Sequence, residues 1–178
     1  MKLVLGFIFL IAGLVSVKAQ QYKPVDEKSK ISFTIKNFGF NTPGTLTGLK
    51  GTIKFNPSDL PSSSFNVSVD VNTINTGIDA RDSHLKKEEY FDAEKFPTIN
   101  FVSTNITKDQ NGYVVSGNFT IKGVTKPVSF PFTIENQGNG MLFDGSFSIN
   151  RKDFGVGGSS AVLSNTVNVT LKVFATKS

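Results

Sequence analysis

Apolar and polar residues alternate along most of the chain after residue 30. The alternation has a period of two, as in β-strands that bury one face, and the apolar positions keep one phase within each segment. Eight segments show this pattern, so the sequence predicts eight strands. Their apolar sets are Ile31, Phe33, Ile35; Leu49, Ile53, Phe55; Phe65, Val67, Val69, Val71; Ile99, Phe101; Tyr113, Val115, Phe119, Ile121; Val128, Phe130, Phe132, Ile134; Met141, Phe143, Phe147, Ile149; and Val167, Val169, Leu171, Val173.

Short turn sequences between these segments predict antiparallel pairing of successive strands. Asn111-Gly112, the residues around Gly123, and Asn139-Gly140 can adopt the positive φ of tight hairpins. Eight strands with one apolar face form either a closed barrel or a two-sheet sandwich, and the pattern does not distinguish between these two folds. Pro131 predicts imperfect pairing in its strand, because proline has no N–H to donate.

Residues 78–91 interrupt the alternation and predict one short helix between the third and fourth strands. We expect Asp79 to cap this helix and Asp82 to pair with Lys86, since the two charges have the favourable i,i+4 order. Pro97 should end the helical segment and let the chain turn into the next strand.

The N terminus has the features of a secretory signal peptide. Lys2 precedes an apolar run from Leu3 to Val15, and Val17 and Ala19 follow it with the small-residue spacing of a cleavage site. The run is shorter than the ~20 residues that span a bilayer. We expect a cleaved signal peptide over residues 1–19 and a single domain over residues 20–178. The mature protein is expected in the periplasm or outside the cell, without stable membrane insertion.

The charge distribution argues against nucleic acid as a partner. Lys and Arg number 19 against 14 Asp and Glu, and loss of Lys2 and Lys18 with the signal peptide lowers the first count to 17. The lysines are scattered singly, and Arg81 and Arg151 are the only arginines. Phosphate tracking requires a basic stripe, which this sequence lacks.

The sequence offers little for catalysis. It has no Cys and one His, whereas metal sites need several converging ligands, so we expect no metal, no cofactor and no enzyme activity. Asp82, Ser83 and His84 are not a triad, because adjacent helical residues do not face each other. His84 is expected to form structural hydrogen bonds where the helix meets the barrel, with ligand contact as the alternative.

The two arginines each stand beside a carboxylate. Arg81 with Asp82, and Arg151 with Asp153, are expected to hold the helix and the barrel end together as ion pairs. The alternative is that the guanidinium groups bind a polar headgroup.

Three motifs occur in a fixed order: RDSHLKKEEYFDAEKFPTINF from residue 81, Gly-Val-Thr-Lys-Pro-Val from residue 123, and Arg-x-Asp-Phe-Gly from residue 151. In these motifs the chain resembles the YceI-like family of polyisoprenoid-binding, lipocalin-like periplasmic proteins. The resemblance implies a closed eight-stranded barrel rather than a sandwich. Lys28 and Asn37 stand where the family commonly has histidines, so no role of those histidines is carried over.

The barrel interior is the predicted ligand site. Gly51, Gly117 and Gly145 fall in the inward phase and are expected to leave room for a ligand, although strand glycines also permit coiling or close backbone approach. With the resemblance, this favours an occupied interior. The expected lining residues are Phe33, Ile35, Ile53, Phe55, Val69, Phe101, Gly117, Phe119, Phe130, Phe132, Phe143, Gly145, Phe147, Val169 and Leu171.

The mouth of the barrel is expected to recognise a headgroup through Phe38, Phe40, Arg81, His84, Tyr90, Phe91 and Arg151. The first functional hypothesis is non-catalytic binding or transport of an apolar-tailed amphiphile, such as an isoprenoid quinone, a polyprenyl lipid or a fatty-acid derivative. The second is a ligand-free barrel that acts as a scaffold through its surface. The third is a lipid-modifying enzyme that uses His84. The sequence leaves a homodimer open.

Overall fold

The wall of the molecule is built from strands that follow the alternating segments. The structure is a computed structural model and describes residues 19–178, so the predicted signal peptide, except for Ala19, lies outside the described residues. The strands are β1 (Gln20–Pro24), β2 (Lys30–Asn37), β3 (Phe40–Phe55), β4 (Ser64–Asn75), β5 (Thr98–Asp109), β6 (Gly112–Ile121), β7 (Val124–Gln137), β8 (Gly140–Asn150) and β9 (Leu163–Lys177). The described helices are α1 (Asp79–Leu85) and the 3-10 turns Asp26–Lys28, Leu60–Ser62 and Arg151–Phe154.

The strands close into an antiparallel barrel with eight positions around its wall. Around the ring, β2 is followed by β9, β8, β7, β6, β5, β4 and β3, which pairs back with β2. Strand β1 shares the position of β2, because both pair with β3 and β9. The predicted eight-stranded barrel is therefore confirmed. The sequence pattern missed β1, whose five residues are too few and too polar to show alternation.

Strand β3 is twice as long as the alternation indicated, since it begins at Phe40 rather than near Leu49. Its pairing with β4 shifts register twice between Thr45 and Lys50, as at β-bulges, and these shifts hide the period of two. The Asp26 carboxylate accepts hydrogen bonds from the amides of Gly48 (2.9 Å) and Leu49 (2.8 Å). The 3-10 turn between β1 and β2 thereby fixes the irregular part of β3.

Helix α1 lies between β4 and β5, as predicted, but two expected contacts were wrong. Ile78 occupies the N-cap position, Asp79 is the first helical residue, and no side chain caps the helix. Asp82 is buried and accepts hydrogen bonds from Thr76 rather than pairing with Lys86. A buried carboxylate is better satisfied by nearby N–H and O–H donors than by a lysine whose ammonium stays in water.

Pro131 interrupts one ladder and not the other. The β6–β7 ladder runs through Val114 and Pro131 without a register shift, whereas the β7–β8 ladder begins only at Phe132. The prediction of imperfect pairing is confirmed on the β8 side.

The 3-10 turn at residues 151–154 packs against β7. Its Phe154 ring also lies 5.9 Å from the ring of Phe119 in β6.

The connections divide the barrel into two ends. We call the first the open end, and it carries the β2–β3 turn, the β4–β5 connection with α1, the β6–β7 turn and the β8–β9 connection. The opposite, closed end carries the β3–β4 connection and the β5–β6 and β7–β8 turns. No helix in the range 19–178 is long and apolar enough to cross a membrane.

Candidate ligand cavity

An apolar cavity of about 460 Å³ occupies the open half of the barrel. Its walls are inward-facing residues of most strands, and its rim comes from the loops of the open end. Aliphatic residues of the wall are Ile31, Ile35, Leu46, Leu49, Val67, Val69, Ile99, Ile121, Ile149, Val167, Val169, Leu171 and Val173. Aromatic residues of the wall are Phe33, Phe101, Phe119, Phe130 and Phe147.

The floor of the cavity is a cluster of aromatic rings, which we call the aromatic plug. Its six members come from six different strands: Tyr22, Phe55, Phe65, Tyr113, Phe132 and Phe143. Phe55 lies at the centre, 1% exposed, with its ring 5.1 to 6.4 Å from four others. Most of these pairs are edge-to-face, which is a favoured arrangement for aromatic rings. The plug fills the closed end.

Nine of the predicted interior residues line the cavity: Phe33, Ile35, Val69, Phe101, Phe119, Phe130, Phe147, Val169 and Leu171. Six others do not. Phe55, Phe132 and Phe143 belong to the plug, and Ile53 is buried beside it in the core. Gly117 and Gly145 line no part of the cavity. The sequence identified the inward face correctly but not the depth of each residue along the barrel axis.

The expectation that inward glycines leave room for a ligand was wrong. A Cβ at Gly117 would lie 2.5 Å from the carbonyl oxygen of Val102 and 2.7 Å from the Phe101 ring. A Cβ at Gly51 would collide with the carbonyl oxygen of Asn66, and one at Gly145 would lie 3.1 Å from that of Pro131. These glycines permit close approach of neighbouring strands. The free space comes instead from aliphatic side chains too short to reach the barrel axis.

Thr76, at the end of β4, organises one side of the mouth. Its hydroxyl and amide donate to the Asp82 carboxylate, and Arg81 donates from Nε to the Thr76 hydroxyl (2.7 Å) and from a terminal nitrogen to the Thr76 carbonyl (2.7 Å). Arg81 and Asp82 therefore both contact Thr76 rather than each other. The expected Arg81–Asp82 ion pair was wrong, and Arg81 lines the cavity mouth.

His84 also lies at the mouth. Its Nε2 is 3.3 Å from Oε1 of Glu89, and its ring packs edge-on against Tyr90 at 5.0 Å. His84, Tyr90 and Phe91 all line the cavity, as predicted for the mouth. The described residues include no group of three or more His, Asp or Glu able to hold a metal ion.

Arg151 is 3% exposed and also lines the mouth. Its guanidinium donates to the carbonyl oxygens of Ser164 (2.9 Å), Val156 (2.8 Å) and Gly158 (3.1 Å) and, more weakly, to Leu163 and Asn165. The expected ion pair with Asp153 was wrong, because oxygens of the β8–β9 connection and of the first residues of β9 accept from all of the guanidinium nitrogens. Arg151 fixes the path of that connection over the cavity.

Two aromatic residues expected at the mouth do not line it. Phe38 and Phe40 are 70% and 77% exposed at the tip of the β2–β3 turn. The lining at this place consists instead of Asn37 and Thr42, of Ser160 and Val162 in the β8–β9 connection, and of Leu163 at the start of β9. That connection has no periodicity, so the sequence pattern gave no signal for these residues.

Known proteins share this architecture. The YceI-like domain matches residues 22–175. A UPF0312 protein of Yersinia enterocolitica is 32% identical over 181 residues, which cover 96% of this chain and 93% of that protein. The crystal structure of BcnA from Burkholderia cenocepacia is similar with a TM-score of 0.82 and 28% identity, over 86% of this chain and 99% of that chain.

A more distant structure, a polyisoprenoid binding domain from Saccharophagus degradans, has a TM-score of 0.69 over 90% of this chain and 100% of that one. At 15% identity it supports the fold and not the ligand.

Proposed function

The chain belongs to the YceI-like family, and from this premise and the cavity we propose that it binds an amphiphile whose long apolar tail occupies the open half of the barrel. The cavity itself carries the proposal. Its volume of about 460 Å³ falls in the range of roughly 300–1,000 Å³ common for small-molecule sites. Its walls are almost entirely hydrocarbon, so they favour a tail that is desolvated on entry.

The magnitude of this desolvation is sufficient for retention. Each buried methylene contributes ~0.8 kcal/mol, so six contribute about 5 kcal/mol before the loss of translational freedom on binding is subtracted. The aromatic plug sets the depth that the tail can reach. An isoprenoid, whose branched chain is wide, and a straight acyl chain both satisfy this chemistry.

The mouth suits a polar headgroup. Arg81, His84 and Tyr90 stand on one side, and Ser160 stands on the β8–β9 connection. The Arg151 guanidinium donates every hydrogen bond to protein oxygens, so its role is to shape the mouth rather than to bind the headgroup. Arg81 and His84 are better placed to contact a ligand.

We propose that the protein acts by binding rather than by catalysis. His84 contacts Glu89 and Tyr90, and within residues 19–178 its ring has no hydrogen bond to a nucleophilic side chain. The scaffold hypothesis requires a filled interior. The aromatic plug fills the closed end, but the open half contains the cavity. The site of action in this proposal is an exported compartment, in keeping with the predicted signal peptide.

The test is extraction of the mature protein with organic solvent after purification without detergent, followed by mass spectrometry. We expect a near-stoichiometric isoprenoid or acyl species. The protein should also take up such a lipid from solution when purified empty. A protein that neither carries nor takes up any amphiphile would refute the proposal.

A further inference from the structure

Gly44 lies on the inward face of β3, between Thr42 and Leu46. Both of these neighbours line the cavity, whereas Gly44 does not, although it stands in the same phase of the strand. Gly44 is nevertheless buried. A side chain from another strand therefore covers it.

The covering group is the ring of Phe33 in β2. Phe33 and Gly44 are direct partners in the β2–β3 ladder. A Cβ at Gly44 would lie 2.6 Å and 2.8 Å from Cε1 and Cε2 of this ring, and closer still to Cζ. Carbon atoms in favourable contact are about 3.5–4.0 Å apart, so the tip of the ring occupies the space that a side chain at position 44 would take. The Phe33 ring thus lies along the wall, across the ladder.

The backbone does not require glycine at position 44. Gly48 and Gly51 of the same strand have φ of 73° and 131°, but Gly44 is not among the residues with positive φ. The three atoms nearest to the missing Cβ all belong to the Phe33 side chain. Since glycine weakens a strand interior, the room that it leaves for this ring is its evident benefit.

The same arrangement recurs across the barrel. Phe101 of β5 lines the cavity, and Gly117 lies on the neighbouring strand β6. A Cβ at Gly117 would lie 2.7 Å from both Cε2 and Cζ of the Phe101 ring, and Gly117 has no positive φ either. Two phenylalanines of the cavity wall are therefore turned sideways over glycines rather than towards the barrel axis.

Phe33 lies at the middle depth of the cavity. Along β2, Asn37 lines the mouth and Ile31 lines the deep end. On the side away from Gly44, Phe33 faces Val169 of β9, whose side chain is part of the same wall. A ring displaced from Gly44 therefore has one free direction, which is into the cavity.

We propose that Gly44 and Phe33 are specificity-determining residues, which keep the middle of the cavity wide enough for a methyl-branched tail. A straight acyl chain needs only the width of a methylene group, whereas an isoprenoid-like tail needs additional room for its regularly spaced methyl branches. A branched tail also buries more apolar surface for its length, so it binds more tightly wherever it fits. This role rests on the proposed function and deepens it, because it names the class of tail that the cavity prefers.

The test measures the affinities of palmitic acid and phytanic acid for the empty mature protein by isothermal titration calorimetry. The two acids share a carboxylate and a main-chain length, and they differ only in the methyl branches of phytanic acid. We expect the unmodified protein to bind phytanic acid more tightly. In Gly44→Ala the affinity for phytanic acid should fall at least about tenfold, as expected if about two methyl groups are no longer buried, while that for palmitic acid should fall less than about threefold.

Phe33→Leu provides the matched background for the same substitution. Leucine has no ring that reaches Gly44, so adding Gly44→Ala to Phe33→Leu should change the affinity for phytanic acid by less than about threefold. Phe33→Trp is a second variant that leaves Gly44 in place. Its larger ring should also weaken phytanic acid more than palmitic acid. Because the displaced ring enters free space, the melting temperature of Gly44→Ala should stay close to that of the unmodified protein.

A role in specificity is overturned if Gly44→Ala binds phytanic acid as tightly as the unmodified protein, or if it loses both acids equally. It is also overturned if Gly44→Ala has the same effect in the Phe33→Leu background. If both acids bind to all of these proteins alike, the specificity role fails and the proposed function stands. If neither acid binds to any of them, both fail.

Discussion

At the closed end of the barrel Phe55 packs against four other aromatic rings, whereas at the open end Phe33 has no ring partner among the described residues. Both residues face inward from strands of the same wall. The difference lies in what faces them. Rings from six strands reach the barrel axis at the closed end, while the open half is lined largely by valine, isoleucine and leucine, which stop short of it. The same inward alternation therefore produces a solid core in one half and a cavity in the other.

The largest effect is expected from truncating the centre of the plug. Phe55→Ala should lower the free energy of unfolding by roughly 3–5 kcal/mol, because it opens a hole among well-packed rings. Phe33→Ala, which removes the same atoms from the cavity wall, should lower it by no more than about 2 kcal/mol. Denaturant unfolding of both variants measures the contrast. Equal losses would mean that the two halves are packed alike.

Filling the open half should remove ligand binding without unfolding the barrel. Val169→Phe adds bulk to the cavity wall, and we expect lipid affinity to fall at least about tenfold. Because the new ring enters free space, the free energy of unfolding should change by less than about 1.5 kcal/mol. Thr170→Phe is the control, since Thr170 is exposed on the outside of the same strand. Unchanged lipid uptake by Val169→Phe would place the ligand elsewhere.

The Thr76 hydroxyl is expected to stabilise the connection that contains α1. Thr76→Val removes the group that Asp82 and Arg81 share, which leaves a buried carboxylate with one donor fewer. We expect the free energy of unfolding to fall by roughly 1–2 kcal/mol and the connection containing α1 to be cleaved faster in limited proteolysis. Thr76→Ser retains the hydroxyl and should behave like the unmodified protein. A variant Thr76→Val with normal proteolysis would show that the hydroxyl does not hold α1.

The smallest effect is expected at high pH. Burial in the plug raises the pKa of the Tyr22 phenol above its ordinary value. The stabilising contribution of the neutral phenol is therefore complete below the unfolded pKa near 10 and is lost as pH rises through the folded pKa. Melting temperatures at alkaline pH should fall less for Tyr22→Phe than for the unmodified protein. Parallel profiles for the two proteins would assign the alkaline loss to other groups.

The fold followed from the sequence because alternation is a local property. Phe143 and Phe147 occupy the same phase of β8, and the pattern correctly places both inside. Their depth was not predictable, since it depends on register offsets that accumulate around the barrel. Phe143 meets Ile134 and Val173 across its neighbouring ladders, whereas Phe147 meets Val169 beyond the end of the β7–β8 ladder.

The mouth was predicted less well for a related reason. Arg81, His84, Tyr90 and Phe91 were placed correctly because one motif carries them all. Their bonding partners were wrong where sequence proximity was taken for contact, as with Arg151 and Asp153. The guanidinium reaches carbonyl oxygens that only the folded β8–β9 connection brings together.

The position shared by β1 and β2 determines when this barrel can be completed. Both strands pair with β9, which ends at Lys177, so the first and last segments of the domain meet in one seam. Seven of the eight wall positions precede β9, but none of them can substitute for it, and pairings of such long sequence separation form slowly. A chain emerging from synthesis or transport remains an open sheet with two bare edges until its final strand arrives. Premature truncation of β9 should therefore yield a molecule prone to edge-to-edge association rather than a smaller barrel.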